Sequence, residues 1–216
     1  GIEPLGEIIS RIPNDQVIQT LAHLEKPEPP NGMSDWLSRQ GLPREYHAAT
    51  LDQVNEAIKP KITSYLGNIR EHIAQGHGLL LTGTYGTGKT NILALVMKAV
   101  YPHWAWFCYC QDLFKSLIPR TEEQKTFLWK MQDYQVICVD GFGEAYEHDW
   151  PYSEFEMFIE KRKTAKKVTC MSTNLSLEDL QKNAKYLRVV DRLKTCCYPF
   201  ELEGKSRRTA LSVDDL

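Results

Sequence analysis

The run Gly83-Thr84-Tyr85-Gly86-Thr87-Gly88-Lys89-Thr90 constrains this chain more than any other part of it. It satisfies G-x-x-x-x-G-K-[ST] at every fixed position. It also lies where that pattern has a mechanism, after the apolar run 79–81 and before the helical pattern of 91–100. Glycines at 83, 86 and 88 let backbone N–H groups turn inward around phosphates with no Cβ in the way. The N-terminus of the following helix adds a favourable partial charge. Lys89 is expected to reach the β- and γ-phosphates, and the Thr90 hydroxyl to hold magnesium. The expected ligand is therefore ATP with Mg2+, bound by residues 83–90.

Such a loop needs a strand to leave and a sheet to belong to, and the rest of the chain supplies one. Apolar runs at 78–83, 104–110, 135–140, 167–173 and 197–202 read as strands. Helical patterns near 89–100, 111–118, 121–132, 152–163 and 176–193 separate them. Strands apolar on both faces, flanked by helices, imply a doubly wound α/β fold with a five-stranded parallel sheet. Upstream, Ile62, Tyr65, Leu66, Ile69 and Ile73 predict one amphipathic helix ending near Gly76. Asn14 predicts the cap of a shorter helix, and the prolines of 25–32 predict a linker. The expected organisation is an accessory segment over 1–41 and a nucleotide-binding domain over 42–216.

Composition excludes several alternatives. At 216 residues the chain is too short for two ordinary domains. No apolar run approaches the length that spans a bilayer, and no basic start followed by an apolar stretch suggests a signal peptide. Gly1 without a preceding Met suggests residues upstream of it. A net charge of −2 restricts any nucleic-acid contact to local patches. The cysteines at 108, 110, 138, 170, 196 and 197 have C-x-C and C-C spacings, wrong for a zinc ribbon, and Cys108, Cys110, Cys138 and Cys170 fall inside apolar runs that read as buried strands. They read as core thiols in a reducing cytoplasm.

Two further positions belong with the phosphate loop. Val136-Ile137-Cys138-Val139-Asp140 is an apolar strand ending in an acid, which makes Asp140 the second expected magnesium ligand. The strand over 168–173 ends in Thr173-Asn174, and Asn174 is placed to bind the γ-phosphate or orient the attacking water.

The order of Leu42-Pro43-Arg44-Glu45-Tyr46, Thr50-Leu51, the phosphate loop, Val136–Asp140, Ser172-Thr173-Asn174 and Val189-Val190-Asp191-Arg192-Leu193 resembles the AAA+ ATPases of the DnaC/DnaI/IstB group. That group contains bacterial helicase loaders and ATPase helpers of transposases. The resemblance implies an ATP-dependent oligomer, without a C-terminal helical lid, whose partner is a replicative helicase or a transposase. The expectation leans to helicase loading. It implies that Arg192 reaches the γ-phosphate of a neighbouring subunit and that Tyr46 and Thr50 lie in a segment near the base. The group commonly carries a second acid after the strand, where this chain has Gly141. Glu144 is the expected substitute, with Glu147 and Asp149 behind it. Without a placed base hydrolysis should be slow, and a nearly inactive nucleotide-sensing scaffold is the alternative from another class.

Contact with single-stranded DNA has one candidate surface. Lys115, Arg120, Lys125 and Lys130 are interleaved with Phe114, Phe127 and Trp129, in a region that related ATPases turn towards DNA. A second basic run covers 161–167. Both patterns also fit a solvated helix face over core aromatics.

Overall fold

The computed structural model describes residues 32–143 and 152–204. The expected helix after Asn14 lies outside these residues, as do Glu144, Glu147 and Asp149 and the chain beyond Gly204, where the expectation of a missing lid falls.

Helix α1 (Met33–Arg39) leads through 3-10 turns at Arg44–Tyr46 and Leu51–Gln53 to α2 (Lys59–Gly67) and α3 (Ile69–Gln75). Then follow β1 (Gly78–Thr82), α4 (Lys89–Ala99), β2 (Ala105–Tyr109), α5 (Cys110–Leu117), α6 (Glu122–Asp133) and β3 (Val136–Phe142). Helix α7 (Tyr152–Thr164), β4 (Val168–Thr173), α8 (Leu177–Lys182), α9 (Ala184–Lys194) and β5 (Cys197–Glu201) complete the order. The five strands are parallel and lie in the order β2-β3-β4-β1-β5, so the strand that feeds the phosphate loop is interior, between β4 and β5.

Alternation along each strand divides the core. Leu79 and Leu81 face one cluster, with Phe107, Cys138 and Cys170, against α1 to α4. Leu80 faces the other, with Ile137, Val139 and Met171, against α5, α7 and α9. Consecutive side chains of a strand point to opposite faces, so a strand apolar at every position must be covered on both. Met33, Trp36 and Leu37 are buried in the first cluster, so α1 packs as part of the same body although its sequence reads as accessory.

Two helices expected as single are broken. Residues 59–75 divide at Gly67-Asn68, where the Asn68 amide donates to the Ser64 carbonyl at 2.9 Å. A side chain that serves the backbone this way competes with helix propagation. Residues 177–194 divide at Asn183, an N-cap in extended conformation whose Oδ1 accepts from the Lys185 N–H at 3.0 Å.

The basic run 161–167 is largely structural. Arg162 is fully buried, and its guanidinium donates to the carbonyls of Met131 (2.7 Å), Tyr134 (2.8 Å) and Val168 (2.6 Å) and to the Thr169 hydroxyl (3.0 Å). Lys167 donates to the carbonyls of Gln132 and Asp133 at 2.8 and 2.9 Å. These cations tie the C-terminus of α6 to the start of β4, satisfying carbonyls that a helix end leaves without partners. All six cysteines are buried and free.

Candidate nucleotide-binding site

The loop between β1 and α4 turns on three glycines with positive φ: Gly83 (121°), Gly86 (75°) and Gly88 (95°). At Gly83 the requirement is also steric, because a Cβ there would lie 2.1 Å from the Leu202 carbonyl oxygen. β5 continues past its last residue at that point, with the Leu202 N–H donating to the Thr82 carbonyl at 2.8 Å. Gly88 occupies the N-cap of α4 and offers no side-chain cap, so the first N–H groups of an 11-residue helix are left for an anion. Lys89 is 6% exposed, and its ammonium donates to the carbonyls of Gly83 and Thr84 at 2.7 Å each. The Thr87 hydroxyl closes the turn on the Thr84 carbonyl at 2.9 Å.

This loop forms one wall of an open cavity of about 580 Å3. Tyr85, Gly86, Thr87, Gly88, Lys89 and Thr90 line it, facing Asp140, Gly141, Ser172 and Asn174 at the ends of β3 and β4. Gly83 and Thr84 serve from behind, through the carbonyls that hold Lys89. Parallel strands bring 90, 140 and 174 together, since each leaves the sheet at the same edge. The Thr90 hydroxyl donates to Asp140 Oδ2 at 3.0 Å. A hydroxyl and a carboxylate so close, beside a lysine and a glycine cradle, are the donor set that suits a magnesium–triphosphate.

Ser172 is the residue that sequence reasoning missed. Its hydroxyl donates to Asp140 Oδ1 and accepts from the Gly141 N–H at 3.2 Å. Asp140 is thus held through both oxygens, one on Thr90 and one on Ser172. The signal was the run Ser172-Thr173-Asn174, polar where β4, lying beside β3, reaches the loop edge. Gly141 departs from the acid common at that position for a backbone reason. It has φ +83 and lies on a break in register between Val139 and Phe142. A Glu there would carry the left-handed penalty, about 1–2 kcal/mol.

The structure places Tyr46 at the Thr90 end of the cavity, where its phenol lies against the Thr90 hydroxyl and the Glu45 carboxylate. Burial raises its pKa, and Glu45 raises it further. Tyr109, also in the wall, has its pKa raised by burial and then by the charges of Asp140, Glu45 and Asp112. Lys89 is the cation among the described wall residues; the carboxylates are Glu45, Asp112 and Asp140.

Arg192 lies outside the cavity, on α9. Its Nε and Nη2 donate to Glu156 Oε1, and its Nη1 to Glu160 Oε2 at 3.1 Å, so α7 holds it within the same chain. Of the expected nucleic-acid residues, Lys115 pairs with Asp112 (3.4 Å) and Lys125 with Glu122 (2.6 Å), and the Arg120 backbone N–H donates to Gln124 Oε1 at 2.7 Å. Phe114 is buried in the core and Phe127 packs against it, which leaves Trp129, 65% exposed, as the open ring of the three.

No protein-family model matches the chain. The replicative helicase loader DnaI of Bacillus subtilis (strain 168) is 25% identical over 170 residues, covering 70% of this chain and 54% of that protein. The chain therefore spans about half the length of that relative. A crystal structure of DnaI matches with a TM-score of 0.62 at 22% identity, over 88% of this chain and 100% of the other. A crystal structure of the DnaC helicase loader also gives 0.62, at 21% identity, over 74% of this chain and 100% of the other. The replication initiator DnaA bound to AMPPCP and single-stranded DNA gives 0.57 at 15% identity, over 73% of this chain and 50% of the other. With a five-stranded parallel sheet and a phosphate loop after an interior strand, the chain has the fold of the DnaI and DnaC helicase loaders and is similar in sequence to DnaI.

Proposed function

We propose that this chain binds and hydrolyses ATP and uses it to assemble on a replicative helicase, as a loader of that helicase onto DNA. The observation that carries the reading is the convergence of Lys89, Thr90, Asp140 and Asn174 on one open cavity at the head of the sheet. In it, Lys89 exchanges the carbonyls of Gly83 and Thr84 for phosphate oxygens, and the N–H groups of 86–90 cradle the chain of phosphates. Thr90 and Asp140 would hold Mg2+, which supplies charge neutralisation of the β- and γ-phosphates when bound. Asn174 faces the terminal phosphate. The cytoplasm is the expected compartment; among the described residues no helix is long and apolar enough to cross a membrane.

Arg192 is proposed to complete the site of a neighbouring copy, since a second cation spreads the charge of the transferring phosphoryl group. Its exchange from Glu156 and Glu160 to a neighbour's nucleotide would couple ATP to assembly. Gly141 supports a slow cycle, in which ATP acts more as an assembly switch than as a fuel. Single-stranded DNA remains a proposed contact through Lys115, Arg120 and Lys125 beside Trp129. The test is capture of a hexameric replicative helicase by the tagged chain with ATP, and its release or weaker retention with ADP. Capture of a transposase in its place, or nucleotide-independent capture, overturns the helicase-loading reading.

A further inference from the structure

The segment ahead of the sheet carries a carboxylate into the phosphate cavity, on a mount that is fixed from several sides. Residues 40–46 leave α1 along the outer edge of β2, where the Phe107 N–H donates to the Gln40 carbonyl at 2.8 Å. Gly41 crosses that strand with φ +87, and a Cβ on it would meet the Phe107 carbonyl oxygen at 2.4 Å, so the approach depends on glycine. His47, buried, then pins the turn. Its Nε2 donates to the Leu42 carbonyl at 3.0 Å, which leaves Nδ1 to accept from the Ser34 hydroxyl at 2.8 Å. Lys98, buried on α4, donates to the Ala49 carbonyl at 2.7 Å and ties the same segment to the phosphate-loop helix. The turn Arg44–Tyr46 thus sits on braced backbone, as a group that must be held in position requires.

That turn sets Glu45 and Tyr46 in the cavity wall. The Tyr46 phenol lies beside the Glu45 carboxylate and the Thr90 hydroxyl, and Thr90 spends its own proton on Asp140. Glu45 also acts on Tyr109 across the cavity. The other carboxylates of the wall are engaged: Asp140 by Thr90 and Ser172, Asp112 by Lys115 at 3.4 Å. The position after Asp140 holds no acid, and its backbone disfavours one. Among the described residues, Glu45 is the carboxylate that pairs an open position at the mouth with a place beside Tyr46 and Thr90.

We propose that Glu45 is the carboxylate that positions and deprotonates the attacking water in this cavity, oriented by the Tyr46 hydroxyl. The proposal rests on the ATPase reading above. The water oxygen bonds to the γ-phosphorus, its proton passes to Glu45, and the bond from that phosphorus to the β–γ bridging oxygen breaks. The electron pair of that bond leaves on ADP, inorganic phosphate is the other product, and Glu45 returns its proton to solvent. The N-terminal segment then belongs to the active site and does not merely precede it.

The experiment compares native protein with Glu45→Gln, Tyr46→Phe and Lys89→Ala, measuring affinity for a fluorescent ATP analogue in Mg2+ and turnover of ATP. Glu45→Gln should bind the analogue within about twofold of native and lose turnover by on the order of 100-fold or more, the usual contribution of a placed general base. Nucleotide recovered from it after incubation should still be ATP, where native protein yields ADP. Tyr46→Phe should lower kcat with KM within about twofold. Glu45→Gln turnover within twofold of native overturns the proposal, as does a native protein without turnover. So does a Glu45→Gln loss of analogue affinity beyond about tenfold, or a full loss of turnover in Glu144→Gln or Asp112→Asn with Glu45→Gln active. Unchanged analogue affinity in Lys89→Ala would instead sink the ATP reading itself.

Discussion

Replacing Arg162 by methionine tests how the edge of the sheet opposite the cavity is held. Methionine keeps much of the aliphatic length and removes every donor. Three carbonyl oxygens, of Met131, Tyr134 and Val168, and the Thr169 hydroxyl then lose a bond each, around a side chain that is itself fully buried. A buried acceptor without a partner costs about 1–3 kcal/mol, so three carbonyls suggest about 3–9. Part of this is offset, because the variant no longer buries a charge. Burial pushes the guanidinium down to about 9, so the folded state already disfavours that charge. The expected loss is therefore about 3–5 kcal/mol, large against the ~5–15 kcal/mol that holds a domain together. The measurement is urea unfolding followed by tryptophan fluorescence, with the midpoint lowered and the slope unchanged. Arg162→Lys should recover only part of the loss, since one ammonium cannot span α6 and β4 as the guanidinium fork does. A loss below about 1 kcal/mol for Arg162→Met would refute the claim that this cation is the clamp.

Further outcomes follow from the same geometry. Lys89→Ala should weaken a fluorescent ATP analogue by roughly tenfold or more, because a charged contact worth about 1.4 kcal/mol is a factor of ten; titration measures it. Ser172→Ala removes one of the two bonds that orient Asp140, a charged hydrogen bond of about 1.5–3 kcal/mol, and should raise the Mg2+ concentration needed for half-maximal nucleotide binding about tenfold. Arg192→Ala should bind nucleotide as a monomer yet fail to assemble with ATP. Mixing it with Lys89→Ala protein should restore partial turnover, and turnover of Arg192→Ala alone equal to native would refute a shared site. Lys98 has its folded pKa lowered to about 8 by burial, below its unfolded value, so the unfolded chain binds the extra proton between about 8 and 10.5. Stability should rise with pH across that window, and Lys98→Met should flatten the rise in thermal melts at matched ionic strength.

What could be read without coordinates was whatever repeats over short distances. The loop 83–90 combines a glycine pattern with a lysine and a threonine whose roles follow from local backbone geometry, and its neighbours alternate in a way that only a two-faced parallel sheet satisfies. From these, the strands, their parallel sense and the pairing of Asp140 with Thr90 were expected, and the structure brings Asn174 to the same cavity. Helix breaks at Asn68 and Asn183 were not read, because apolar spacing continues across them while a single side-chain amide diverts the backbone.

Charge was the least legible property. Lys161, Arg162, Lys163, Lys166 and Lys167 look alike in a row, yet Arg162 is fully buried and closes a helix end, and Lys167 spends its protons on carbonyls. Whether a cation meets solvent or a carbonyl depends on what the fold brings opposite it, and that is a matter of residues some 30 positions away. The same reason hid Ser172 and Glu45. Ser172 acts because β4 lies beside β3, and Glu45 enters the cavity because the chain before it follows the edge of β2. Local pattern carries periodicity and backbone strain, which a few adjacent residues generate; the place of Glu45 in this pocket and the Arg162 clamp at the far edge of the sheet come from side chains that meet only once the sheet has closed.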